Sequence, residues 1–157
     1  MPKDLDSLAS DLVVSSAKLV RLVRYRTNTG QAQGADSTAT WRALAILSDR
    51  GPLRVTEFAE LDQLTQPSAT AILRRLRGEG AVHSAPDPRD GRASLVSLTP
   101  AGEARLSRLR RAGATAVAPL LADLSDEERA LLRRASDLLD EVTRRDPLIS
   151  SSRKDTQ

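Results

Sequence analysis

Asp62-Gln63-Leu64-Thr65-Gln66-Pro67-Ser68-Ala69-Thr70-Ala71-Ile72-Leu73-Arg74-Arg75-Leu76-Arg77-Gly78 is the stretch on which the architecture of this chain turns. Asp62 to Thr65 reads as a tight turn. A helix then runs from Gln66-Pro67 to Gly78 or Gly80, proline being tolerated in a first turn. At about 100° per residue, Ala69, Ile72, Leu73 and Leu76 share one side and face a core. Thr70, Ala71, Arg74 and Arg75 fall opposite, Gln66 and Ser68 flank them on the first turn, and Arg77 lies at the edge. A helix that is small and polar at its start and carries a run of arginine suits a DNA major groove. That groove admits a helix, and Gln or Arg pairs bidentately with base edges there. The alternative is an ordinary solvated helix face.

The surroundings favour the groove. Upstream, Val55-Thr56-Glu57 starts a short helix with Thr56 as its N-cap and Phe58, Ala59 and Leu61 inward. Two helices across so tight a turn have helix-turn-helix spacing. Before them, Ser37-Thr38 caps a helix with Trp41, Leu44 and Leu47 on one side, ended by Gly51-Pro52. Further out, Leu5, Leu8, Leu12, Leu19 and Leu22 mark one face of a helix over Leu5 to Tyr25, followed by a polar stretch from Thr27 to Asp36.

Downstream, Ala81 to Ala85 and Ala93 to Leu98 alternate as two short strands around the charged turn Pro86-Asp87-Pro88-Arg89-Asp90-Gly91-Arg92. A hairpin beside a recognition helix can place an arginine in the adjacent minor groove, where narrow A·T-rich stretches concentrate negative potential. Asp90 is expected to orient the Arg92 guanidinium through a salt bridge; plain turn chemistry is the alternative for both Asp87 and Asp90, and the two roles can coexist. Thr99-Pro100 opens a fifth helix with Leu106, Leu109, Gly113, Val117 and Leu120 on one face; Pro119 bends or ends it. Ser125-Asp126-Glu127-Glu128 is a capping box for a sixth helix carrying Leu131, Ala135, Leu138 and Val142, stopped by Asp146-Pro147. Ile149 to Gln157 reads as a polar tail.

The predicted fold class is therefore mainly α with a small β-hairpin. The domain organisation is 1–36, an N-terminal helix and linker; 37–99, a compact DNA-binding lobe; 100–146, two C-terminal helices; and 147–157, a tail. The apolar faces of the terminal helices need a partner. Packing on each other within one subunit is the simple solution; packing against a second copy of the chain, with two-fold symmetry, is the favoured one.

Composition narrows the chemistry. The 157 residues contain no Cys and a single His, His83, which excludes a disulfide framework, Cys-ligated zinc and thiol redox sensing. No Gly-rich phosphate loop, metal spacing or nucleophile–base pair is present, so neither an enzyme, a metal site nor a cofactor is expected. No apolar leader and no run of ~18 apolar residues occurs, which points to the cytoplasm and away from a membrane. Arginine outnumbers lysine 21 to 3, a bias that GC-rich coding also produces, so position has to decide its meaning. Residues 66–99 carry five Arg against Glu79, Asp87 and Asp90, a net of +2. Residues 123–146 carry eight acids against five Arg, a net of −3, so the excess positive charge lies in the lobe expected to meet DNA.

With these elements in order, Asp90-Gly91-Arg92-Ala93-Ser94-Leu95-Val96-Ser97-Leu98-Thr99 resembles the MarR family of winged helix-turn-helix regulators. That family carries D-x-R-x-x-x-(V/I)-x-L-T at its wing, and all five specified positions match; Pro100-Ala101-Gly102 continues its L-T-P-x-G. The resemblance spans about residues 5 to 145. It implies N- and C-terminal dimerisation helices and a homodimer on a pseudo-palindromic operator in double-stranded DNA. It also implies repression of a nearby or the chain's own promoter, relieved by a small-molecule effector. Carried onto this chain, the major-groove set is Gln66, Ser68, Thr70, Arg74 and Arg75, and the minor-groove residue is Arg92, oriented by Asp90. Gly91 stands where the family often has arginine, and Arg89 is the candidate to replace that charge; Ala71 and Ser84 also depart from the usual pattern. Tyr25, Trp41 and Arg42 are effector candidates by residue type, each with a plainer role in packing or solvation. The competing readings are a non-specific architectural DNA-binding protein and an adaptor whose helix-turn-helix binds protein. Arg92→Ala is expected to cost about 1–3 kcal/mol per half-site, and a gel-shift titration with unchanged affinity would remove the minor-groove role.

Overall fold

The computed structural model describes residues 3–28 and 38–145. The Ser37 cap, most of the Thr27–Asp36 stretch, the Asp146-Pro147 stop and the tail lie outside the described residues. The chain divides into two compact units, 1–34 with 110–123 and 35–109 with 124–157.

In the first unit, helix α1 (Lys3–Asn28) is acidic in its first turn and basic in its last, as the helix dipole favours. It is longer at both ends than the leucine spacing predicts. The Arg26 guanidinium donates to the Ala116 carbonyl at 3.0 Å. Leu5, Leu8, Leu12 and Leu19 remain exposed.

The second unit is built on α2 (Thr38–Arg50), a short strand β1 (Leu53–Arg54), α3 (Val55–Leu61), α4 (Gln66–Gly78) and strands β2 (Val82–Asp87) and β3 (Asp90–Leu98). The sheet is antiparallel in the order β1-β3-β2, so the expected hairpin has gained a third strand. The strands also run further toward the tip than expected and leave only Pro88-Arg89 as the turn. The periodicities read from sequence hold where they count most. Leu44, Leu47, Phe58, Ala69, Leu73, Leu76, Val82, Val96 and Leu106 form one buried cluster, with Ile72 packed at its edge. Trp41 departs from this pattern: it is half-buried and lies outside the cluster that holds Leu44 and Leu47.

Local chemistry sets the element ends. Helix α3 begins at Val55 and is capped by Arg54, not Thr56, because β1 runs straight into it; the Glu57 carboxylate accepts from the Arg54 amide at 2.7 Å. The α3–α4 turn requires Gln63 in the left-handed region at φ 52°, so that the Leu64 amide can reach the Ala59 carbonyl at 2.8 Å. Thr65 caps α4 by accepting from the Ser68 amide. The same left-handed device ends α4 at Gly80, φ 72°, with the Ala81 amide bonded back to Leu76 at 2.9 Å.

Helix α5 (Pro100–Leu121) opens with Thr99 as cap, its hydroxyl accepting from the Gly102 amide at 3.1 Å. It continues through Pro119 rather than ending there. Helix α6 (Asp126–Arg144) carries the expected reciprocal capping box between Ser125 and Glu128. It buries no residue, and Leu131, Leu138 and Val142 stay exposed.

Candidate nucleic-acid interface

The outer face of α4 is prepared by its own first turn. Thr70 donates its hydroxyl to the Gln66 carbonyl at 2.8 Å and stays exposed. The Ser68 hydroxyl lies 2.9 Å from that of Thr65, inside the cap. Gln66, Pro67, Thr70, Ala71 and Arg74 line one shallow, open concavity on this face. Arg74 projects from it and is exposed.

Arg75 behaves differently from its neighbour. Its guanidinium donates to the buried Thr40 hydroxyl at 2.8 Å and to Glu79 at 2.9 Å. One turn of α4 thus sends Arg74 outward and draws Arg75 against α2. Glu79 also accepts from Arg105 of α5 at 2.6 Å. The Arg105 contact, with Arg75 second, holds the Glu79 carboxyl below its usual value of 4.5. A carboxylate whose folded pKa is lowered stabilises the fold above its ordinary pKa, and that contribution is lost as pH falls through the lower folded value. Glu79→Gln is therefore expected to flatten the decline of melting temperature below about pH 4.5, measured by circular dichroism across a pH series. Beside this brace, Arg77 donates to the Ser84 hydroxyl at 2.5 Å and fastens the end of α4 to β2.

The hairpin tip carries the second group of candidates. Arg92 is exposed on β3. The expected salt bridge from Asp90 to its guanidinium does not form. Instead one Asp90 oxygen accepts from the Arg92 backbone amide at 3.1 Å, and the other lies 3.9 Å from the Arg54 guanidinium. A short carboxylate reaches its own backbone two residues on more readily than a long side chain's end. Asp90 thus orients the strand that carries Arg92. Asp87 does serve the turn, accepting from the Arg89 amide at 2.9 Å. It also takes both Nε and Nη2 of Arg54, at 2.7 and 2.5 Å. The Arg89 amide first, and Arg54 with it, keep the Asp87 carboxyl below the usual carboxylate range. Sequence spacing gave no signal for Arg54, which stands 33 residues from its partner.

The effector candidates are not brought together within one unit. Tyr25 is 70% exposed on α1 in the first unit, whereas Trp41 and Arg42 belong to the second. Arg42 pairs with the buried Asp62 carboxylate at 2.6 and 3.3 Å and so ties α2 to the end of α3, a structural tie rather than the ordinary solvated charge of its plainer reading. His83 is exposed on β2, with its Nε2 3.2 Å from the Ser97 hydroxyl.

Two helices across a tight turn, an exposed arginine-bearing second helix and a basic-tipped hairpin define a winged helix-turn-helix DNA-binding protein. A sequence model of the MarR family matches residues 37–94. An HTH-type transcriptional regulator of Mycobacterium tuberculosis is 34% identical over 132 residues, covering 84% of this chain and 90% of that protein. The HTH-type transcriptional repressor NicR of Pseudomonas putida is 30% identical over 109 residues, covering 67% and 69%. Among solved folds, RV1404 of Mycobacterium tuberculosis superposes with a TM-score of 0.71 at 22% identity, over 91% of this chain and 96% of that one. Wild-type MarR of E. coli gives 0.67 at 24%, over 86% and 95%. The chain belongs to the MarR family of transcriptional regulators and is a DNA-binding protein, not an enzyme. No described helix is long and apolar enough to cross a membrane.

Proposed function

We propose that this chain acts as a homodimeric, sequence-specific repressor. In this reading α4 enters successive major grooves of a two-fold operator, and the wings reach the flanking minor grooves. The observation that carries it is the outward face of α4, where Gln66, Thr70 and Arg74 stand around an open concavity with no core role. Arg74 pairs with a guanine edge and Gln66 with adenine, while Ala71, Pro67 and the Thr70 methyl form an apolar shelf suited to a thymine methyl. Arg75 supports the helix from behind through Thr40 and Glu79. Ser68 belongs to the cap and reaches phosphate from the helix start. Arg92 supplies the minor-groove contact, with Arg89 at the turn adding phosphate attraction.

The dimer is supported by the apolar residues left exposed on α1 and α6, among them Leu8 at 54%, Leu131 at 70% and Val142 at 61%. Repression is supported by the similarity to NicR of Pseudomonas putida, a transcriptional repressor. Relief by a small ligand that changes the spacing of the two DNA lobes completes the reading, with the half-buried Trp41 as its candidate contact.

Selection of bound sequences from a random DNA pool tests the proposal. A two-fold symmetric consensus is expected. Absence of enrichment, with similar affinity for all duplexes, would replace specific repression by architectural binding.

A further inference from the structure

We propose that Arg54 is a positioning residue for DNA binding: it clasps the wing to the helix-turn-helix and thereby sets where Arg92 reaches. The inference rests on the wing reading above and goes beyond it, because Arg54 lies outside both the recognition helix and the wing. Strand β1 pairs only with Leu95 and Val96 of β3. Beyond that point the wing is a two-stranded ribbon of β2 and β3, and such ribbons have little stiffness alone. The Arg54 side chain supplies what the short strand does not. From β1 it passes over the central strand β3 and bonds Asp87 at the far end of β2 through two N–H groups. Asp87 and Asp90 face each other across the turn, and Asp90 lies 3.9 Å from the same guanidinium. Both ends of the turn thus meet one cation.

The burial pattern supports a clasp. Four successive residues of β2, His83 to Pro86, are exposed, yet Asp87 at the tip is 5% exposed. A carboxylate is rarely that buried without a committed partner. The backbone of Arg54 is held as well, by pairing with Leu95 and by the Glu57 carboxylate on its amide. One residue therefore joins the start of α3, the central strand and the wing turn.

The test uses the full chain and a duplex carrying the selected consensus. Arg54→Met, Arg54→Lys, Asp87→Asn and Arg92→Ala are compared singly, and Arg54→Met is combined with Arg92→Ala. Affinity is read by fluorescence anisotropy, minor-groove contact by hydroxyl-radical footprinting, and folding by thermal melting. Arg54→Met is expected to weaken binding on the order of tenfold, the scale of one lost base contact. Adding Arg92→Ala to it should cost less than about twofold more, because the wing contact is already gone. Protection of the flanking minor grooves should disappear while major-groove protection persists, and Arg54→Lys should restore part of both. If Arg54→Met does not fold, Asp87→Asn, which keeps the side-chain shape, must show the same selective footprint loss. Fully additive losses with an unchanged footprint would overturn the clasp. A wild-type footprint without any minor-groove protection would overturn the wing reading beneath it.

Discussion

Replacing Gly102 with alanine is expected to destabilise the DNA-binding lobe by about 2–3 kcal/mol, the upper range for forcing an extra carbon into a packed site. Alanine ordinarily stabilises a helix relative to glycine by roughly 0.5–1 kcal/mol, so the sign must be decided by space. A Cβ at Gly102 would stand 2.0 Å from the Ala81 carbonyl oxygen and 3.0 Å from its carbon. That oxygen cannot retreat cheaply. It accepts from the Thr99 amide at 3.1 Å, while the Ala81 amide is committed to Leu76 at 2.9 Å and the Thr99 hydroxyl to the Gly80 carbonyl at 2.6 Å. The glycine lets the first turn of α5 lie against the backbone joining α4 to β2. It is the physical content of the Leu98-Thr99-Pro100-x-Gly102 run. Gly78→Ala is the control, since a Cβ there meets nothing within 4 Å; it should leave stability unchanged or raise it by a few tenths of a kcal/mol. Urea unfolding of both variants checks the pair, and equal midpoints would remove the steric argument.

Arg74→Ala is expected to weaken operator binding by about 2–3 kcal/mol per half-site, the upper end for a bidentate base contact. Both half-sites of a dimer lose the contact, so the total approaches roughly twice that where the two act independently. The variant should melt at the wild-type temperature, because Arg74 is exposed and its removal opens no core. Specificity should relax at one base pair of each half-site, with the salt dependence changed only slightly. Arg75→Ala gives the opposite signature. Its side chain holds Thr40 and Glu79, so stability falls while base preference is retained. Anisotropy titrations on consensus and single-base variants separate the two. Unaltered base preference in Arg74→Ala would exclude it from base reading.

The contrast between these adjacent arginines shows how far sequence reasoning reached. Helical periodicity placed Ala69, Leu73 and Leu76 inward and Thr70, Ala71 and Arg74 outward, and the burial agrees. The same wheel put Arg75 on the outer face. At the boundary of a face, a long side chain chooses by partner; Glu79 lies only four residues on, but Thr40, and the Arg105 that braces Glu79, are gathered only by packing. The capping box at Ser125 and the cap at Thr99 were legible because each is a bond between residues three apart. The two-residue strand β1 was not, since two residues carry no period and its partner lies more than forty positions on. Of the two roles the sequence offers for Asp90, the structure shows the turn bond to the Arg92 amide and not the salt bridge to its guanidinium; the 3.9 Å approach of Arg54 to Asp90 is legible only in the packed chain.

Composition and local pattern alone therefore determined the order of the six helices and the hairpin, the helix-turn-helix spacing, most inward faces of the DNA-binding lobe and the exclusion of thiol chemistry. All of these depend on bonds and spacings within a few residues, or on what the chain lacks. Tertiary structure alone decided which arginines face outward and which brace the fold, why Gly102 admits no side chain, and how Arg54 meets Asp87. Those outcomes depend on groups 20 to 35 residues apart competing for the same oxygens, and only the packed chain brings them within reach.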